Sequence, residues 1–253
     1  MKPKIIAIVN QKGGVGKTTT TINVGAQIAS DKHSVLVVDL DPQGNASSGL
    51  GLDRNAKQNT IYEILSGTSD LAAAVTETNV AQLYVVPSNA NLVGSEIELV
   101  GRAEREFVLS RALATATYEY ILIDCPPSLG LLTINALTAA QSVMIPVQAE
   151  YYALEGLSQL LNTIQAVRGS TNPNLELLGI ALTMYDKRNS LSEQVQTEVR
   201  NYFGDKLFKT LIPRNVRLAE APSYGRTIFE HDKWSKGARA YKSLAREILA
   251  RTR

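Results

Sequence analysis

Residues 10–19 read Asn10-Gln11-Lys12-Gly13-Gly14-Val15-Gly16-Lys17-Thr18-Thr19, between the apolar run Ile5-Ile6-Ala7-Ile8-Val9 and a stretch patterned as a helix. A buried strand, a glycine-rich turn and a helix N-terminus together make a phosphate site. The glycines bring successive N–H groups close to an anion, and the helix dipole adds favourable potential. In that arrangement Lys17 reaches terminal phosphates and the Thr18 hydroxyl is placed to ligate Mg²⁺. The usual spacing G-x-x-x-x-G-K-[ST] puts a glycine at position 11. This chain has Gln11 there, and a second lysine, Lys12, just ahead of the glycines.

Outward from this stretch, short apolar runs alternate with helical patterns. Strands are expected over 4–9, 34–40, 83–87, 120–124, 142–147, 177–184 and 207–212. Helices are expected over 18–30, 60–65, 102–117, 131–140, 154–168, 192–203 and 238–250. Most of the strands are continuously apolar, as strands buried on both faces are. The pattern predicts an α/β fold with a mostly parallel, twisted sheet and helices on both faces. In such sheets ligands sit at the carboxyl ends of the strands, so the residues that carry chemistry should follow strands.

They do. Val35-Leu36-Val37-Val38-Asp39-Leu40 runs into Asp41-Pro42-Gln43-Gly44-Asn45. Asp39, at a strand end, is either a functional acid or a cap and structural hydrogen-bond acceptor. Asp41 opens a Pro/Gly loop beside the phosphate site, where it can orient water or hold hydrated Mg²⁺. Tyr120-Ile121-Leu122-Ile123-Asp124, followed by Cys125-Pro126-Pro127-Ser128, is an apolar strand ending in an acid, the form of a Walker B element. Pro126, Pro127 and Gly130 suit a loop that changes shape with a γ-phosphate. Cys125 reads as a small buried residue.

Composition narrows the class. The 253 residues are 44% hydrophobic and 20% charged, ordinary for a soluble domain. No linker, repeat or low-complexity tract appears, so 1–253 reads as one domain. A single Cys rules out an intramolecular disulfide and fits a reducing cytoplasm. The first apolar run is too short for a signal peptide or a membrane span. Net charge is only +2, but residues 183–253 hold 15 of the 26 Lys and Arg against 8 of the 24 Asp and Glu. That skew is either one positive face or an ordinary solvated surface. Arg188, Arg217 and Arg226 lie in or beside expected loops, with Lys187, Lys233 and Lys236 nearby. Such residues can contact nucleic-acid phosphates without reading sequence.

Other residues leave alternatives open. Asn215, in Ile212-Pro213-Arg214-Asn215, either reads an adenine edge or forms a turn. Tyr151 and Tyr152, after Glu150, are core or a partner surface. His33 and His231 have no acids or cysteines at ligand spacing, so no zinc site is expected. Ala238, Tyr241, Leu244, Ala245, Ile248 and Leu249 form one stripe that packs on the domain or lies on a membrane.

With 12–19, 39–45 and 124–128 in view, the chain resembles the ParA/Soj family of partition ATPases, in the deviant Walker A branch of P-loop NTPases. The resemblance extends to Pro146-Val147-Gln148, to 151–156 and to 212–218, and is strongest to the short Soj-like type without an N-terminal DNA-binding domain. It implies a cytoplasmic, nucleoid-associated ATPase whose ATP-dependent homodimer binds double-stranded DNA non-specifically and releases it after hydrolysis. It implies that Lys12 reaches the partner's phosphates, that 13–19 cradle ATP with Lys17 on the β/γ-phosphates, and that Thr18 binds Mg²⁺. Asp41 would place the hydrolytic water, Asp124 would be the Walker B acid, and Pro213 and Asn215 would contact adenine. Arg188 and Arg217 would carry the DNA surface, and a ParB/Spo0J-type centromere-binding protein would stimulate hydrolysis. A MinD-like membrane-associated ATPase is the competing reading, disfavoured by the Asp41-Pro42-Gln43-Gly44 loop. A nitrogenase-iron-protein-like reductase is excluded, because one Cys per chain cannot supply four thiolates to a dimer's cluster.

Overall fold

A computed structural model describes residues 2–53, 56–150 and 155–253. The strands are β1 (Lys4–Ile8), β2 (Val35–Asp39), β3 (Thr76–Glu77), β4 (Leu83–Val86), β5 (Tyr120–Asp124), β6 (Ser142–Gln148) and β7 (Glu176–Thr183). They form one sheet in the order β3-β4-β2-β5-β1-β6-β7, parallel except for β3. The first glycine loop leads into α1 (Lys17–Ser30), and α2 (Asn45–Gly49) follows β2. Between β2 and β5 lie α3 (Ile61–Ser66), α4 (Leu71–Ala74), α5 (Leu92–Val100) and α6 (Val108–Leu113). The remainder are α7 (Leu131–Ala139), α8 (Glu155–Arg168), α9 (Ser190–Phe203), α10 (Val216–Glu220), α11 (Ile228–Asp232) and α12 (Lys236–Arg251).

The period of two along each strand decides what each face buries. Ile5, Ala7 and Val9 join Leu36, Val38, Ile121 and Ile123 in one core layer. Ile6 and Ile8 join Val35, Val37 and Leu122 in the other. Both faces are covered, which is why the strands read as unbroken apolar runs.

The C-terminal stripe belongs to the second layer. Tyr241, Leu244, Ala245 and Ile248 of α12 are buried, and the Tyr241 hydroxyl lies 3.1 Å from Thr20 Oγ1 of α1. Each fully buried Leu or Ile is worth roughly 1.5–3 kcal/mol. This face is therefore engaged with the domain, and lifting it onto a membrane would expose the core. Among the described residues, no helix is long and apolar enough to cross a membrane.

Two expectations need correction. Residues 207–212 do not form a strand, although they run beside β7 and touch it at the isolated bridge Ile180↔Leu207, with a second bridge, Tyr185↔Pro213, just past both segments. The ladder breaks because the Glu247 carboxylate of α12 takes the N–H groups of Lys209 and Thr210 at 2.9 and 2.8 Å. The helix expected over 102–117 is confined to a 3₁₀ turn at Arg105–Phe107 and α6. There Asn135 of α7 intervenes, its Oδ1 accepting from Leu109 N at 3.1 Å and its Nδ2 donating to Arg105 O at 2.9 Å. The short elements α2, α4, α5, α10, α11 and β3 were not anticipated. Tyr151 and Tyr152 lie outside the described residues.

Candidate nucleotide-binding site

Parallel register brings the ends of three strands level: Ile8 and Asp39 both pair with Asp124. The loops leaving β1, β2 and β5 therefore meet at one edge. In the first loop, Asn10 donates through Nδ2 to Pro146 O at 2.7 Å and accepts from Lys12 N at 2.9 Å. Gly14 and Gly16 have φ of 75° and 89°, left-handed values that cost an L side chain roughly 1–2 kcal/mol. Gly16 is the N-cap of α1, and no side chain caps that helix. Its first-turn N–H groups are thus left for an anion.

Lys17 opens α1 with only 6% of its surface exposed, and its ammonium donates to Lys12 O at 3.2 Å. Burial lowers its pKa, opposed by Asp124, Cys125 and Asp41. Next to it, Thr18 Oγ1 donates to Asp124 Oδ2 at 2.7 Å, and Thr21 Oγ1 donates to Asp124 Oδ1 at 2.9 Å. Burial first, then the neighbouring Asp39, pushes the Asp124 carboxyl up to about 7. A buried carboxylate beside a helix-borne hydroxyl supplies hard oxygen ligands suited to Mg²⁺, while the neighbouring lysine can pair with phosphate oxygens. The Thr18 side of this set opens into a cavity that the glycines also line, and a Cβ added at Gly13 or Gly14 would meet nothing within 4 Å. The residues present fit a magnesium-bound polyphosphate.

Asp39 resolves to the structural alternative. Its Oδ2 accepts from Ser47 N at 2.7 Å and Ser47 Oγ at 2.6 Å, and its Oδ1 accepts from Asp41 N at 3.3 Å. Asp39 thereby pins the loop that carries Asp41. Asp41 lines the cavity and accepts from Gln43 N at 2.9 Å. That cavity, about 520 Å³, is also lined by Gly13, Gly14, Gly16, Lys17, Thr18 and Thr19. Val15 is buried beneath, its carbonyl accepting from Thr183 Oγ1 at 2.7 Å.

A second cavity of about 360 Å³ shares Gly16, Thr19 and Met184 with the first and is walled by Pro213, Asn215 and Tyr241. Asn215 is also a turn residue, because its Oδ1 accepts from Arg217 N and caps α10. Thr183 and Met184 were missed by sequence reasoning. Met184 has φ of 51°, unusual for a residue with a side chain, and no motif announces it.

Lys12 stands apart from the cavity lining. Its ammonium is 3.0 Å from Glu150 Oε2, both side chains about half exposed. Glu150 also accepts from Gln148 Nε2.

Next to the second cavity, with which it shares Pro213 and Arg214, Arg188 lines a groove of about 610 Å³ with Lys187 and Lys236. Its guanidinium grips Asp186 at 3.1 and 2.9 Å while its side chain is 90% exposed. Arg217, on α10, pairs with Glu220 at 2.9 Å. Arg226 is exposed, outside the residues lining that groove. The two histidines sit far apart, His33 on Glu119 at 2.7 Å and His231 near Glu220 at 3.4 Å. Cys125 is buried.

A family model described as an AAA domain matches residues 3–177. The sporulation initiation inhibitor protein Soj of Bacillus subtilis is 55% identical over 249 residues, 98% of each chain. The chromosome partitioning protein ParA of Caulobacter vibrioides is 52% identical over 254 residues, 99% of this chain and 95% of that one. The chain belongs to the ParA/Soj family. As a ParA/Soj chain it is a partition ATPase on a P-loop fold, and a solved structure carries the likeness into three dimensions. Cobyrinic acid a,c-diamide synthase from Mycobacterium smegmatis, with bound ATP analog and magnesium, is 39% identical at a TM-score of 0.86. The match covers 98% of this chain and 94% of that one.

Proposed function

We propose that this ParA/Soj chain is a nucleotide-switched DNA binder built on one domain, 1–253. Two copies close on ATP, the dimer holds double-stranded DNA without reading its sequence, and hydrolysis lets it go. The observation that carries the reading is the Thr18–Asp124 hydrogen bond beneath an uncapped, glycine-turned helix start. The Thr18 hydroxyl and the Asp124 carboxylate would hold Mg²⁺, which when bound neutralises charge between the β- and γ-phosphates. The N–H groups of 13–19 cradle the phosphates, and the buried Lys17 ammonium binds their oxygens where water screens little. Asp41, steadied by Gln43 N and by Asp39 behind it, orients the attacking water. Pro213 and Asn215 wall the base.

Lys12 completes the site in trans. In the single chain its ammonium rests on Glu150, and a half-exposed pair of this kind is worth about 0–1 kcal/mol. It can be given up for a partner's phosphates. Arg188, Arg217 and Arg226 contact DNA phosphates, and a ParB/Spo0J-type protein stimulates hydrolysis, which places the chain on the nucleoid in the cytoplasm. The mycobacterial structure is named for a different activity, but the curated relatives that carry partition names are more similar in sequence.

The deciding experiment is sedimentation with duplex DNA, and separately with anionic liposomes, in ATP, ADP or no nucleotide. DNA binding that requires ATP and weakens steeply with salt is the expected result. Liposome binding in ATP without DNA binding would replace this reading with the MinD-like one.

A further inference from the structure

The chain's only tryptophan, Trp234, is 76% exposed in the turn between α11 and α12. Scattered exposed apolar side chains are ordinary. This one shares basic surroundings with the exposed Val216 and Tyr224 near Arg217. Lys233 Nζ sits 5.3 Å from the ring centroid, within cation–π range. Asp232 ties the turn to the neighbouring cation, its Oδ1 accepting from Trp234 N at 3.1 Å and its Oδ2 lying 3.9 Å from Arg217 Nε. Two residues further on, Lys236 lines the groove that holds Lys187, Arg188 and Arg214. Trp234 is thus placed between the Arg217 cluster and the basic groove. By contrast, the exposed Val93, Ile97 and Val100 of α5 are interspersed with Glu96 and Glu98, which would repel a phosphate backbone.

From this placement we infer that Trp234 is an aromatic contact to duplex DNA, its ring wedged at a base step from the minor groove while the surrounding cations hold the phosphates. The inference rests on the proposed DNA-binding function and adds to it an apolar contact that needs no sequence readout, because an apolar side chain can wedge into a duplex base step from the minor groove whatever its sequence. Phosphate contacts release counterions and set the salt slope of the affinity, whereas a ring–base contact does not. The two contributions therefore separate in one measurement.

The test follows Trp234 fluorescence and affinity for a mixed-sequence duplex, with ATP and magnesium, over a range of salt concentrations. Duplex should quench the emission. Trp234→Ala should weaken binding about tenfold at every salt concentration with an unchanged slope, and Trp234→Phe should recover most of the loss. Equal melting temperatures would establish that the variants fold. Affinity of Trp234→Ala equal to that of the wild type overturns the inference and leaves the DNA reading standing. A loss accompanied by a shallower salt slope also overturns it, by assigning the effect to cations alone. Failure of the wild type to bind duplex overturns both.

Discussion

Asp39 and Asp124 face each other as register partners on the neighbouring parallel strands β2 and β5, both fully buried. Burial disfavours the ionised form of both, the Asp39 charge adds to this at Asp124, and the Asp41 charge adds to it at Asp39. Asp39 is pushed up to about 6 and Asp124 to about 7 from the ordinary 3.8, chiefly by burial. A folded-state value above the unfolded one means that the folded chain holds the protons more tightly. The pair's contribution to stability is then complete below about 4 and is lost as pH rises through about 6 and 7. Asp39→Asn removes one titrating group and the charge that raises the other. Without nucleotide or magnesium, its melting temperature should fall less than the wild type's between about pH 5 and about pH 8. Parallel profiles would show that the two acids do not titrate as a pair.

Asp41 sits at the mouth of the same cavity but is held differently, accepting from Gln43 N rather than gripping a helix. Removing its carboxylate leaves the glycine loop, Lys17 and the Thr18–Asp124 bond untouched. Asp41→Ala should therefore bind ATP with near wild-type affinity and lose turnover by about 10²-fold or more. Single-turnover kinetics check this, and undiminished hydrolysis would remove Asp41 from the reaction.

Arg217 pairs with Glu220, which also lies within reach of His231, so its guanidinium is oriented in advance of any ligand. Arg217→Ala should weaken duplex binding uniformly across sequences and reduce the log–log salt slope by about one. Fluorescence anisotropy at several salt concentrations measures both. An unchanged slope would mean that Arg217 contacts no phosphate.

The packing of α12 can be tested through Leu244, which is fully buried against α1 and its neighbours. Leu244→Ala should cost about 2–5 kcal/mol, seen as a lowered midpoint in denaturant. A near-neutral change would mean that the stripe is available for another surface.

How far these features were legible depends on sequence distance. The phosphate loop, Asp41 and Asp124 each sit in a run of a few residues whose order dictates the local turn, and the structure brings them to one edge of the sheet. The same holds for strands buried on both faces, which their composition alone declares. Asp39 could be narrowed only to two roles, because its partner Ser47 lies on a later helix of five residues with no pattern of its own. The second cavity is assembled largely from the end of β7 and from 212–219, and of those residues only Pro213 and Asn215 carried a signal. Residues 207–212 look like a strand because they are apolar. They fail as one because Glu247, nearly forty positions on, takes the Lys209 and Thr210 amides, while Phe208 and Ile212 donate to β7. T-x-x-E was an available signal for helix starts at Thr60 and Thr227, both of which close capping boxes with Glu63 and Glu230. Used on Thr227, it would have found α11.

Lys12 offers the sharpest separation of site from assembly. It lies at the rim, paired with Glu150 at 3.0 Å, while Lys17 occupies the buried position. If Lys12 serves the partner's nucleotide, Lys12→Ala should leave ATP binding by the single chain largely intact and abolish cooperative dimer formation and turnover. Glu150→Gln should do the reverse, releasing Lys12 at a stability cost under about 1 kcal/mol and shifting the monomer–dimer balance in ATP toward dimer. Analytical ultracentrifugation with ATP, alongside steady-state hydrolysis, reads both effects. Normal hydrolysis by Lys12→Ala would mean that the site is complete within one chain and that the second lysine serves another purpose.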